Sequence, residues 1–174
     1  MDILVLGIDH LIQEIDYEDG LKKILLDHHQ KHPVDLIAEE WSQNAKKKAP
    51  TVASGLAPTI GAGRHNIEMP DELMQKKGIF PAIKDRRESG PQDKYLDHED
   101  SVREYHWMSE IQSCAPKKGV VVLCGMIHAA PFSKKLKEAG FTVTTKTLKE
   151  WQWYNDWQAE REQSNRQALL ERGP

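Results

Sequence analysis

Three apolar, β-branched runs of this sequence each end in a histidine or a carboxylate. They are residues 3–10 (ILVLGIDH), 34–40 (VDLIAEE) and 120–128 (VVVLCGMIH). Short apolar runs without polar alternation are typical of strands buried on both faces, which indicates a parallel sheet covered by helices. Ligands of such sheets bind outside the carboxyl ends of the strands. The pattern therefore predicts one chemical site formed by the residues that end the runs: Asp9, His10, Glu39, Glu40 and His128.

Composition bounds the class of protein. The 174 residues are 39% hydrophobic and 29% charged, which is typical of a single soluble globular domain spanning 1–174. The net charge of −3 comes from 24 basic and 27 acidic residues that are interspersed, so we expect no nucleic-acid partner. No apolar run approaches ~18 residues and no basic leader precedes the first strand, which predicts a cytoplasmic protein without a membrane span. Cys114 and Cys124 form no CxxC motif, and we expect both to be reduced.

A helix is predicted between the first two strands. Positions 21, 24, 25 and 28 keep the i, i+3, i+4, i+7 spacing of an amphipathic helix, and Pro33 ends it. Strand, helix and strand in this order predict a right-handed crossover. His28 and His32 stand at i, i+4 near the end of this helix. They are either two ligands of one metal ion or histidines favoured by the helix dipole.

The second half of the chain continues the alternation of helix and strand. Ser101-x-x-Glu104 has the form of a capping box, which predicts a helix that begins at Ser101 and carries Arg103 in its first turn. After the third apolar run, positions 132, 136 and 139 predict another helix, which Gly140 ends. Residues 141–145 (FTVTT) alternate and are β-branched, which indicates a fourth strand at or near an edge of the sheet.

Between residues 45 and 91 the periodicity fails, and glycine and proline are frequent. Only Asp71 to Lys77 has a helical pattern there. A loop region of this length in a compact domain is usually functional or disordered. We therefore predict a loop-rich lid that partly covers the strand ends. Arg64 or His65 is expected to reach inward from this lid, and both are candidates for contacting a bound cofactor.

The tail from 148 to 170 is predicted to form a tryptophan-rich helix. Trp151, Trp153, Tyr154 and Trp157 follow one another at helical spacing. Such a row packs either against the domain or across a homodimer, because aromatic residues concentrate in interface cores.

Two kinds of chemistry are consistent with His10, His128 and one glutamate of the pair Glu39-Glu40. Two imidazoles and one carboxylate are a catalytic metal set that leaves a coordination position for water, with His10, Glu40 and His128 as the ligands. Without a metal, a carboxylate orients one histidine as a general base. A structural role for both histidines is the third alternative. A glycine precedes each histidine by three residues, which marks a sharp turn or a close approach of the backbone to a ligand.

Four pieces of the sequence resemble the TraB/TIKI group and its relatives, the erythromycin esterases and the ChaN-like haem-binding proteins. Residues 6–10 (LGIDH) resemble the first-strand GxxH motif, and residues 37–40 (IAEE) resemble the acidic end of the second strand. Arg103, Trp107 and Ile111 resemble the arginine-led helix, and residues 125–128 (GMIH) with the following L…G-F-x-V pattern resemble the closing motif. The four pieces have the same order as in the family and span about half of the chain.

The resemblance implies an α/β sheet with a hydrolase-like pocket at its C-terminal edge. It implies a site made of His10, Glu39 or Glu40, Arg103 and His128, with a divalent ion such as Zn, Mn or Co in some members. We therefore expect a small hydrolase that acts on a small-molecule or peptide substrate. A haem- or metal-binding module, or an interaction protein that uses the tryptophan-rich tail, are the alternatives.

Overall fold

The computed structural model describes residues 1–15, 17–41, 50–79 and 93–171 of the chain. Five strands form one parallel sheet in these ranges: β1 (Asp2–Ile8), β2 (Leu36–Glu39), β3 (Gly63–Asn66), β4 (Gly119–Gly125) and β5 (Thr142–Thr147). Their order across the sheet is β3-β2-β4-β1-β5. The predicted parallel α/β fold is confirmed, and the three apolar runs lie side by side as β2, β4 and β1.

Helices follow the strands and cover both faces of the sheet. They are α1 (His10–Glu14), α2 (Gly20–Lys31), α3 (Val52–Thr59), α4 (Asp71–Lys76), α5 (Asp93–Ser113), α6 (Met126–Glu138) and α7 (Gln152–Glu171). Side chains alternate across each strand, so β1 supplies Leu4 and Leu6 to the core beneath α2 and α7. It supplies Ile3 and Val5 to the core beneath α5 and α6. This burial on both faces explains why the central runs are apolar without a break.

The strand register brings the ends of the runs to one level. Ile8 pairs with Gly125, and Glu39 pairs with Leu123. The residues that follow β1, β2 and β4 therefore leave the sheet together at its carboxyl edge. β5, the predicted fourth strand, lies at the edge beside β1, as its alternating pattern indicated.

Two sequence predictions about the middle of the chain need correction. The stretch 50–79 of the predicted lid contains α3 and the edge strand β3 besides the predicted helix α4. α3 was not predicted because it is short and contains Gly55 and Pro58. β3 was not predicted because its four residues are half-exposed or exposed and therefore show no apolar run. Residues 42–49 and 80–92 lie outside the described ranges. α5 begins at Asp93, so Ser101 and Glu104 form no helix cap and Arg103 lies in the middle of the helix.

The tryptophan-rich tail forms α7 and the short 3₁₀ turn that precedes it. Tyr154 and Trp157 are buried in the core beneath α2, and Trp151 and Trp153 pack against its edge. The chain itself therefore buries Tyr154 and Trp157 and leaves Trp151 and Trp153 half-buried, and the homodimer stays a prediction. None of the helices in the described ranges is long and apolar enough to cross a membrane.

Candidate functional site

The candidate site is a group of polar side chains at the carboxyl edge of the sheet, which we call the strand-end cluster. Its members are His10, Gln13, Glu39, Glu40, Glu68, Arg103, Glu104 and His128. Asp9, which the sequence also pointed to, acts as the N-cap of α1: its Oδ1 accepts the Leu11 N–H at 2.9 Å. Its Oδ2 accepts from Arg161 at 3.2 Å. These contacts give Asp9 a structural role at the rim of the cluster.

Gly125 marks the point where three candidate side chains meet. A Cβ built on this glycine would lie 3.2 Å from His10 Nε2, 3.5 Å from His128 Cδ2 and 3.6 Å from Glu40 Oε2. The Gly125 N–H donates to Glu40 Oε2 at 2.7 Å. A side chain at 125 would therefore push into the cluster. Gly7 has a different role, because its Cβ would lie 2.9 Å from Ala129 Cβ on α6; it allows α6 to pack closely on β1.

Glu39 and Glu40 both lie inside the protein and serve different neighbours. Glu39 is fully buried; its Oε2 accepts from Arg64 Nε at 2.7 Å and from Thr51 Oγ1 at 3.0 Å. Its other oxygen accepts from Gln13 Nε2 at 3.2 Å. Glu40 faces both histidines, with Oε1 3.8 Å from His10 Nε2 and 3.9 Å from His128 Nε2. Glu40 is thus the carboxylate that the two imidazoles share.

Arg103 lies between Glu68 on one side and Glu40 and His128 on the other, and all three nitrogens of its guanidinium have partners. Nε and Nη2 both donate to the Glu68 carboxylate, and Nη2 also donates to Glu40 Oε1 at 2.6 Å. Nη1 lies 3.2 Å from His128 Nε2 and 3.4 Å from Asp100 Oδ1. Burial acts to lower the pKa of Arg103, but the bonds to Glu68 and Glu40 outweigh it and raise the pKa further. Arg103, which the resemblance implied as a site residue, thus pairs with Glu40, one of the two candidate glutamates.

His128 is buried and held from both sides of its ring. Its Nδ1 lies 3.1 Å from Glu104 Oε1, and Glu104 Oε2 accepts from Lys135 Nζ at 2.6 Å. The Trp107 ring meets the His128 ring edge-on, with 5.0 Å between the ring centres. Because a carboxylate can only accept, Nδ1 carries the proton and the Nε2 lone pair faces Arg103.

His10 is the member of the cluster that is open to solvent, with 51% of its side chain exposed. Its Nδ1 lies 2.7 Å from Oε1 of Gln13, which is fully buried. Gln13 Nε2 donates at 3.2 Å to Glu39 Oε1 and at 3.2 Å to the backbone oxygen of Glu40. Both partners of this NH₂ group are acceptors, so the amide has one favourable orientation, with Oε1 toward His10. His10 therefore donates from Nδ1 and leaves the Nε2 lone pair free beside Glu40.

The charges of the cluster keep Glu40 ionised. Burial acts to raise the pKa of the Glu40 carboxyl, but the Arg103 guanidinium, the protonated forms of His10 and His128, and the Gly125 N–H outweigh it and lower the pKa. Cys124 lies nearby in β4, and burial, with Glu40 and Glu104, raises the pKa of its thiol well above the ordinary value. The thiol stays protonated at neutral pH and is therefore a poor nucleophile.

The side chains of the two residues predicted to contact a cofactor have different neighbours. Arg64 reaches inward and pairs with Glu39, with Nη2 2.5 Å from Oε2. His65 lies 2.8 Å from Glu110 on α5, and the structure brings it to no member of the strand-end cluster in the described part of the chain. Adjacent residues of a strand point to opposite faces, so only one of the pair could follow Glu39 inward.

Gln13, Glu68 and Glu104 are members of the cluster that the sequence did not reveal as site residues. Glu104 follows Arg103 directly, but its resemblance to a capping residue hid its contact with His128. Gln13 lies three residues after His10, a spacing that puts both on one side of a helical turn. This spacing was the available signal for Gln13. Glu68 follows an edge strand that was not predicted, and no sequence pattern pointed to it.

A metal ion ligated by His10, Glu40 and His128 would need the region that Arg103 takes up. Arg103 donates to Glu40 Oε1 and also contacts His128 Nε2, so the guanidinium bridges two of the three ligand atoms. Among the described residues, no group of three or more histidines, cysteines or carboxylates has the arrangement of a metal site. The residues in this arrangement do not fit such an ion unless Arg103 withdraws. The metal ion and haem both stay predictions.

No family model, no curated protein and no solved structure matches this chain.

Proposed function

We propose that this protein is a small hydrolase in which His10 acts as the general base. The observation that carries the proposal is the 2.7 Å contact between His10 Nδ1 and Gln13 Oε1, which assigns the ring proton to Nδ1 and leaves the Nε2 lone pair of this half-exposed side chain beside the Glu40 carboxylate. A neutral imidazole with an accessible lone pair accepts a proton from water near neutral pH. The nearby carboxylate stabilises the imidazolium that forms.

The reaction follows from these positions. His10 Nε2 takes a proton from a water molecule, whose oxygen attacks the carbonyl carbon of an ester, lactone or amide. Glu40, 3.8 Å away, stabilises the protonated ring. The imidazolium then returns the proton to the leaving oxygen or nitrogen as the carbonyl re-forms. α6 begins at Met126 beside this point, and the positive end of its dipole favours negative charge on the carbonyl oxygen.

The roles of the two histidines differ in this proposal. Arg103 Nη1 covers the His128 lone pair at 3.2 Å, whereas the His10 side chain is half-exposed and its Nε2 has no contact with Arg103 among the described residues. His128 is therefore a positioning residue: with Glu104 it holds the Arg103 guanidinium against Glu40. Arg103 in turn keeps the Glu40 carboxylate ionised and aimed at His10. Glu39, held by Arg64, keeps the Gln13 amide in its orientation.

A panel of p-nitrophenyl esters, lactones and peptide p-nitroanilides tests the hydrolase. The untagged protein should hydrolyse at least one class, and His10→Ala should lower kcat/KM by about 10²–10⁴-fold, the usual contribution of a general base. His106→Ala is the matched control, because His106 lies on α5 near Glu110. Full activity in His10→Ala, or no hydrolysis of any class above buffer, would contradict the proposal.

A metal-assisted hydrolase is the second candidate, and one observation favours it. Both histidines have their Nδ1 atoms engaged and their Nε2 atoms within 3.9 Å of one Glu40 oxygen, as in metal sites whose ligands are oriented by outer hydrogen bonds. Arg103 would have to release Glu40 and His128 first. Activity that disappears with EDTA and returns with Zn²⁺, Mn²⁺ or Co²⁺ supports this candidate. Full activity in EDTA supports the metal-free reaction.

A further inference from the structure

A groove of about 480 Å³ lies at the opposite end of the sheet from the strand-end cluster. Its walls come from the start of β1, from one face of β5 and from the last turns of α2. Two histidines of α2, His28 and His32, line it together with Asp27, Lys146 and Trp151. None of these residues takes part in the proposed hydrolysis.

His28 and His32 present two imidazoles side by side in this groove. They are four residues apart, at the end and C-cap of α2, and the helical bond from the His32 N–H to the His28 oxygen is 2.8 Å long. Their rings are stacked with 5.0 Å between centres and 24° between planes. In the part of the chain that the structure describes, neither ring takes part in a hydrogen bond. The ring nitrogens are therefore available to a ligand.

We propose that His28 and His32 form a binding site for a late first-row divalent ion, Zn²⁺, Ni²⁺ or Cu²⁺. Imidazole nitrogen suits these ions, and two histidines at i, i+4 on one helix face are a recurrent zinc-binding pair. Rings whose centres are 5.0 Å apart are close enough for one nitrogen of each to lie ~2.0–2.1 Å from a single ion. Water completes the coordination at the open side of the groove.

The charges around the pair permit a cation. Asp2 and Asp27 contribute two negative formal charges to the lining of the groove, and Lys31 and Lys146 contribute two positive ones. The Lys146 ammonium lies over the Trp151 ring, 5.4 Å from its centre. The formal charges of the lining therefore cancel in number, so the groove has no net charge that excludes a cation. Because the pair exists only when α2 is folded, a bound ion would stabilise the end of this helix.

His29 provides a matched control within the same helix turn. Its Nδ1 accepts the Val34 N–H at 3.2 Å, so this ring is engaged with the backbone and does not line the groove. A site made by His28 and His32 predicts that His29 is dispensable for metal binding. A non-specific effect of several histidines predicts that all three contribute.

Zinc titration by calorimetry of the untagged full chain tests the proposal. We expect one Zn²⁺ site outside the strand-end cluster, retained in His10→Ala/His128→Ala. His28→Ala and His32→Ala should each weaken it at least tenfold, and His29→Ala should leave it within about twofold. His32 is exposed, so its variant decides the outcome if His28→Ala fails to fold. No zinc binding, unchanged affinity in His32→Ala, or an equal loss in His29→Ala would overturn the proposal.

Discussion

Replacing Arg103 with methionine should destabilise the fold more than any surface charge change. The side chain is 12% exposed and is the cation between the buried carboxylates of Glu40 and Glu68. Removing one partner of a buried ion pair costs about 3–5 kcal/mol, because the remaining charge is left without compensation. A domain of this size has only about 5–15 kcal/mol of total stability. We therefore expect Arg103→Met to lose about a fifth or more of the free energy of unfolding.

The lysine variant separates charge from geometry. Lysine keeps the positive charge but has only three N–H donors, whereas the guanidinium has five in a fixed planar arrangement. We expect Arg103→Lys to lose about 1–3 kcal/mol, the cost of leaving buried polar groups without partners. Its activity should fall at least tenfold, since Glu40 would lose the donor that aims it at His10.

Urea unfolding followed by circular dichroism measures these losses. Arg166→Met is the matched control: the Arg166 side chain is 80% exposed, and its one ion pair among the described residues is with Glu162 across one helix turn, at 3.8 Å. This variant should change stability by less than about 0.5 kcal/mol. Adding Glu68→Gln to Arg103→Met should recover part of the loss, because one uncompensated charge disappears. The reasoning is refuted if Arg103→Met unfolds within about 1 kcal/mol of the wild type.

Three further predictions follow from single contacts. Gln13→Leu should lower kcat at least tenfold in the ester assay, because His10 loses the acceptor that fixes its tautomer; an unchanged kcat would remove Gln13 from the site. Burial, with Asp9, raises the pKa of the Tyr154 hydroxyl in the folded protein above its ordinary value of 10.0. The neutral hydroxyl therefore contributes stability that is fully present below the pKa of the unfolded state. This contribution is lost as pH rises through the pKa of the folded state. Tyr154→Phe should therefore lose less stability than the wild type between pH 9 and pH 11 in urea titrations, and equal losses would contradict this. Gly125→Ala should fold but lose activity, because its Cβ would lie 3.2 Å from His10 Nε2, whereas Gly55→Ala, with nothing within 4 Å, should leave activity intact.

Sequence patterns were sufficient for the parts of the site that depend on the central strands. β1, β2 and β4 are buried on both faces, so their apolar runs fixed both where the strands lie and where they end. His10, Glu40 and His128 follow directly from those ends. The resemblance implied Arg103 as a site residue, and Arg103 does reach Glu40, although from the middle of a helix rather than from its first turn.

The remaining residues depend on contacts that no local pattern encodes. Ile67 and Met69 are fully buried, yet they follow a strand of four half-exposed or exposed residues that only its pairing with β2 defines. Glu104 has the spacing of a helix cap, and only the packing of α5 against α6 turns it toward His128. Gln13 is polar on a five-residue helix, and its burial comes from the end of β2 lying over it.

The tautomer of His10 tests the central claim most directly. Long-range ¹H–¹⁵N correlation spectra of the histidine rings at pH 8, assigned with His10→Ala and His128→Ala, report which ring nitrogen carries the proton. We predict that His10 is protonated on Nδ1 in the wild type and that this preference is lost in Gln13→Leu. A wild-type His10 ring protonated on Nε2 would contradict the proposal, because the lone pair would then face Gln13 instead of the water to be activated.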